Sequence, residues 1–169
     1  MLQFTPSPHP RGHYRLTVTQ WVNSSQDDVF DFFADASNLE RITPPWLRFQ
    51  ILTPRPITMR IGCEIDYRLR LHTIPLRWTS VITAWEPQFR FVDEQLRGPF
   101  RFWHHDHRIE QVDGGTQITD IVDYSVPGGQ FANRLLVRRD LQKIFDYRRT
   151  QVERILNPPD ETGPPPDAN

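Results

Sequence analysis

The chain has 169 residues, a formal net charge of −1 and 37% apolar residues. That length suits one domain, which can bury about two-thirds of its unfolded surface and so needs neither disulfide nor metal to fold. Near-zero charge argues against a nucleic-acid binder, and Cys63, the single cysteine, excludes an intrachain disulfide or a multi-cysteine zinc site.

Eight of the 16 prolines lie in the first ten or last twelve residues. Residues 1–12 are expected to be a flexible segment. They lack the basic and apolar regions of a secretory signal, and no stretch of the chain approaches 18 apolar residues, so a cytoplasmic location without a membrane span is expected. Residues 13–157 are then the folded domain. Residues 158–169, proline-rich and acidic through Asp160, Glu161 and Asp167, read as a disordered tail.

His13–Val22 alternates as a strand. Asn23-Ser24-Ser25 stops it, and Ser24 or Ser25 can cap a helix with Asp27 and Asp28 in its first turn. Val29, Phe30, Phe32 and Phe33 give that helix an apolar side. A second short helix over Ser37–Ile42 must end by Thr43, because Pro44-Pro45 cannot continue it. From Trp46 to Val126 the period becomes two. The spacing predicts strands at Leu47–Thr53, Gly62–His72, Leu76–Trp85, Arg90–Arg97, Phe100–Gln111 and Thr116–Val126, separated by turn residues such as Gly98-Pro99 and Asp113-Gly114-Gly115. Short connections make consecutive strands antiparallel neighbours. Residues 130–156 read as one long helix, with Phe131, Leu135, Leu141, Ile144, Phe145, Val152 and Ile155 at helical spacing. The arginines between them (Arg134, Arg138, Arg139, Arg148, Arg149 and Arg154) read mainly as a solvated face. The alternative for them is transient contact with an anionic membrane surface.

This order is α+β: a curved antiparallel sheet of about seven strands around a long C-terminal helix, with two short helices after the first strand. It resembles the helix-grip fold of the START-like superfamily, also called SRPBCC or polyketide cyclase/dehydrase-like, over residues 13–157. Motifs similar to a bacterial branch of it are Asn38-Leu39-Glu40-Arg41-Ile42-Thr43-Pro44-Pro45, residues 91–100, Trp103-His104-His105-Asp106-His107, residues 120–124 with Pro127, and Ile144-Phe145-Asp146-Tyr147-Arg148. The resemblance implies an internal cavity. It does not imply one function, since members bind lipids, sterols, quinones or hormones and some cyclise polyketides.

Alternation assigns the inward side chains. Trp103, His105, His107 and Ile109 share one face, and His104, Asp106, Arg108 and Glu110 share the solvent face. Tyr67 and Leu69, then Phe91, Asp93 and Gln95, and then Asp120 and Tyr124 fall on the inner faces of their strands. Residue 78 or 79 leads the inner face of strand 76–85, depending on a bulge. These are the expected ligand-binding residues: an aromatic cavity with a polar patch of His105, His107, Asp93, Asp120, Gln95 and Tyr67. The patch can be self-satisfied structure, since buried polar groups must be hydrogen-bonded. As a functional patch it admits three readings. The first is a carrier or sensor for a hydrophobic small molecule such as a lipid, isoprenoid, quinone or polyketide, without a cofactor. The second is an aromatase/cyclase- or dehydratase-like enzyme using His105 or His107 with Asp120 as acid–base groups. The third, less favoured, is a metal site, because His105 and His107 project the same way and Asp93 or Asp120 can add a carboxylate. Oligomeric state has no signature in the sequence.

Overall fold

The computed structural model describes residues 1–157, so the expected tail at 158–169 lies outside the described residues. Eight antiparallel strands form one open, curved sheet: β1 (Leu2–Pro6), β2 (Tyr14–Val22), β3 (Gln50–Ile51), β4 (Glu64–Leu71), β5 (Ile74–Glu86), β6 (Arg90–Arg97), β7 (Phe102–Val112) and β8 (Gly115–Ser125). Their order across the sheet is β1-β2-β8-β7-β6-β5-β4-β3. The chain thus leaves β2 for the far edge and returns strand by strand until β8 pairs with β2.

Between β2 and β3 lie α1 (Gln26–Ala34), a 3₁₀ turn (Ala36–Asn38) and α2 (Leu39–Ile42). Ser25 caps α1 by accepting from the Asp28 backbone N–H. After β8 comes one long helical run. It begins as α3 (Gly129–Ala132), passes through a π-helical stretch (Asn133–Val137) and continues as α4 (Arg138–Leu156). Leu141, Phe145 and Val152 of α4 are buried against the concave face of the sheet. No helix among the described residues is long and apolar enough to cross a membrane.

Two expectations are corrected. Residues 1–12 are not simply a flexible segment, because Leu2–Pro6 pairs with β2 along the Leu2↔Val18 to Pro6↔Tyr14 register and raises the strand count to eight. Proline is tolerated there because β1 is an edge strand and Pro6 ends it. The strand expected over Leu47–Thr53 shrinks to Gln50–Ile51. Pro45–Leu47 forms a 3₁₀ turn, and Arg48 follows in the left-handed region at φ 44°.

Register places the inner face. Asp93 of β6 stands opposite His105 of β7, and His107 of β7 stands opposite Asp120 of β8. The ambiguous strand keeps one phase through its middle, with Trp78, Ser80 and Ile82 buried on the concave side, and its own extra residue, Thr83, comes only after them. The convex face of β7 is not wholly solvated. Asp106 is buried there under Arg90 and Arg108, which both hydrogen-bond its carboxylate.

Candidate functional site

The sheet curves around α4 without being filled by it. A cavity of about 360 Å³ remains between the concave face, α1, α2 and α4. Its wall is mostly apolar and aromatic, with Phe33, Phe49, Trp78, Phe100, Trp103 and Phe145 among its residues. Polar side chains line it as well, Asp35, Asn38, Thr43 and Asp140 among them, and others gather in one cluster. There Ser80, Asp93, His105, His107 and Arg148 come together.

Of the residues expected to face a ligand, Tyr67, Leu69, Phe91, Asp93, Trp103, His105 and His107 line this cavity. Asp120 sits behind the two histidines, buried, without lining it. Gln95 does not join the patch. Its side chain bridges the β6–β7 turn, donating to the Phe100 carbonyl at 2.8 Å and accepting from the Phe100 N–H at 3.2 Å. Tyr124 is fully buried and donates to Asn133 Oδ1 at 3.0 Å, tying β8 to the π-helical stretch.

The polar region is a ring in which imidazoles and carboxylates alternate. His107 Nε2 lies 3.1 Å from Asp93 Oδ2, and His107 Nδ1 lies 2.8 Å from Asp120 Oδ1. His105 Nε2 lies 3.2 Å from the same Asp120 Oδ1, and His105 Nδ1 lies 3.6 Å from Asp93 Oδ2. The His107 Nδ1 approach is short but off the line of a ring N–H bond, so it is an electrostatic contact rather than a hydrogen bond. The imidazole centroids are 3.7 Å apart, and Phe91 stacks on the outer side of His107 at 4.1 Å. A relay leads away from Asp93: Ser80 donates to Asp93 Oδ1 at 3.3 Å, and Trp78 Nε1 donates to Ser80 Oγ at 3.0 Å. The Tyr67 hydroxyl shares the same serine oxygen.

Burial penalises every charge in this ring, and the partners decide which charges survive. For Asp93, burial is opposed by the His107 hydrogen bond and the nearby cations, which hold the carboxyl below its ordinary value. For Asp120, burial is outweighed by the Arg148 charge, the His105 hydrogen bond and the His107 contact, which hold it well below. Burial would lower His107 too, but Asp120 and Asp93 together raise it. His105, lowered first by burial and then by His107 beside it, is pushed down to about 4. Burial raises Tyr67, keeping it a neutral donor. The carboxylates of Asp93 and Asp120 are thus favoured in their ionised form, and of the two imidazoles a proton is favoured on His107 over His105.

Strand alternation did not point to Arg148 or Ser80. Arg148 sits over the Phe33 ring at 5.5 Å, and its buried Nε has no hydrogen-bond partner among the described residues. Its signal was its place on the helix: Leu141, Phe145, Arg148 and Val152 follow at intervals of four, three and four, so the arginine stands on the buried stripe. Ser80 belongs to the strand whose inner face alternation left open between residues 78 and 79, and it follows Trp78 in phase. For a cation, the donor atoms of Asp93, His105 and His107 all lie within 4.8 Å of one another.

The family model described as polyketide cyclase / dehydrase and lipid transport matches residues 22–149. No curated protein matches the sequence significantly. Among solved structures, protein Ms6760 from Mycobacterium smegmatis aligns with TM-score 0.63 and 18% identity, over 84% of this chain and 90% of that one. Protein CV1439 from Chromobacterium violaceum aligns with TM-score 0.69 and 10% identity, over 86% and 98%. The major latex-like protein 151 from Panax ginseng aligns with TM-score 0.65 and 11% identity, over 85% and 97%. At these identities the likeness concerns the fold, a curved sheet gripping a C-terminal helix.

Proposed function

Since the chain belongs to the polyketide cyclase / dehydrase and lipid transport family, we propose that it is a carrier or sensor that binds a hydrophobic small molecule in its internal cavity. A lipid, isoprenoid, quinone or polyketide fits this description. The observation that carries the reading is the cavity itself: about 360 Å³ of mostly apolar and aromatic wall that includes a polar cluster. Apolar area buried from water gains about 25 cal/mol per Å². A few fixed polar groups, here Ser80, Asp93, the two histidines and Arg148, orient a head group.

The test is native mass spectrometry of the purified chain, followed by denaturation and analysis of released small molecules. A stoichiometric apolar compound supports the reading. A chain that emerges empty, and stays empty after incubation with lipid, isoprenoid and quinone extracts, overturns it.

A second reading draws on Asp120, which lies behind both cavity-facing imidazoles as the orienting carboxylate of an acid–base pair does. Recovery of an added polyketide in cyclised or dehydrated form would favour that enzyme. Loading at a membrane also has a support. Phe131 and Leu136 are 77% and 58% exposed on the helical run beside Arg134, Arg138 and Arg139, next to the cavity-lining Val137. Co-sedimentation with anionic but not neutral vesicles tests that contact.

A further inference from the structure

We propose that Asp93, His105 and His107 form a binding site for a divalent transition metal in the cavity wall, with zinc the ion that this donor set suits best. Such a site does not depend on the identity of any apolar ligand.

The three donors converge. Asp93 Oδ2 is 3.1 Å from His107 Nε2 and 3.6 Å from His105 Nδ1. Ligand atoms held about 2.1 Å from a tetrahedral ion stand about 3.4 Å from one another. Both contacts fall close to that spacing. Register explains the convergence: two inward positions of β7, His105 and His107, flank one another, and Asp93 projects from the directly opposite position of β6.

The donors are also held from behind. The ring nitrogens that turn away from Asp93, His105 Nε2 and His107 Nδ1, both rest against Asp120 Oδ1, at 3.2 and 2.8 Å. Asp120 is buried and does not line the cavity. A carboxylate hydrogen-bonded to a metal-bound imidazole fixes its tautomer and orientation; here Asp120 does this for His105 and makes an electrostatic contact with His107. Asp93 is steadied in turn by Ser80. All three donors face the cavity, so coordination positions remain open on the side where a ligand sits. Arg148 faces the same space and repels a cation, which gives the test its directional control.

The experiment uses the full chain, treated with chelator and dialysed, and titrated with Zn²⁺ by calorimetry and with Co²⁺ by visible absorption. One ion per chain is expected, with the intense absorption of a low-symmetry Co²⁺ site. His105→Ala/His107→Ala and Asp93→Asn should abolish stoichiometric binding. Asp120→Asn should keep the stoichiometry and weaken affinity by about 10–100-fold. Arg148→Met should bind at least as tightly as the parent. Thermal melting of each metal-free variant identifies any that fail to fold, and Asp93→Asn, which preserves shape, is then the deciding variant. Absence of binding to the parent overturns the proposal, as does unchanged affinity in folded Asp93→Asn. A chain that takes up apolar ligand but no metal overturns this site and leaves the carrier reading standing.

Discussion

If the cavity is the binding site, its volume sets a chain-length limit. A water molecule's share of liquid volume is about 30 Å³, so a 360 Å³ cavity holds about a dozen heavy atoms. Each methylene buried gains about 0.8 kcal/mol, which at room temperature is about fourfold in Kd. A series of straight-chain 1-alkanols, followed by displacement of a fluorescent apolar probe, should therefore gain about fourfold per carbon and then level off at about ten to twelve carbons. Ile144 lines the cavity from α4. Ile144→Trp places an indole in the space a tail would take, so its plateau should begin at a shorter chain. The reasoning fails if affinity does not depend on chain length, or if it climbs without a break beyond the limit. It fails equally if folded Ile144→Trp levels off where the parent does.

Two stability predictions come from groups that do not line the cavity. Asp123, buried on the convex face, accepts from Ser7 Oγ at 2.6 Å and from Arg15 Nε and Nη2 at 2.8 and 2.6 Å. Its carboxyl is held low because the bonds from Arg15 and Ser7 outweigh burial, so its contribution is present above the ordinary aspartate pKa and is lost as pH falls through the lower folded value. Asp123→Asn should cost about 2 kcal/mol at neutral pH, and urea titrations should show the gap to the parent closing in acid; a gap that stays constant to low pH refutes the assignment. Tyr124→Phe removes the donor to buried Asn133 Oδ1 and should cost about 1–3 kcal/mol, with hydrogen exchange accelerating in residues 133–137. Equal exchange in the variant would detach that bond from the π-helical stretch.

Alternation made most of the architecture legible, because a half-buried strand has to repeat every two residues and the register of its neighbours then fixes the face. His105 and His107 could be placed beside inward carboxylates for that reason. What the pattern could not carry were departures from period two. β5 has an extra residue at Thr83, between Ile82 and Ala84, so alternation along that strand could not choose between the Trp78/Ser80/Ile82 phase and the other one. Gln95 has an inward position, but a local bond across a tight turn captures its side chain. Leu2 and Phe4 alternate correctly with Gln3, yet three prolines in ten residues disguise an edge strand as a tail. Arg148 went unplaced because composition suggests that arginines on a helix face water, whereas position on the stripe decides which one does not.

The ring of charges is costly to bury, which separates fold from function in a testable way. Asp93, His105, His107, Asp120 and Arg148 occupy positions that a stable helix-grip core could fill with apolar side chains. Removing one member leaves an uncompensated buried charge and should cost about 3–5 kcal/mol. Replacing the whole set by apolar residues of similar volume is commonly neutral, or stabilising by about 1–4 kcal/mol. The variant Asp93→Leu/His105→Phe/His107→Phe/Asp120→Leu/Arg148→Met should therefore unfold in urea at or above the parent's midpoint, while Asp120→Leu alone unfolds well below it. That pair of results would mean that the ring is kept for what it binds or does. If the fivefold variant is as damaged as the single one, the alternating imidazoles and carboxylates are part of what specifies the packing of β6, β7 and β8.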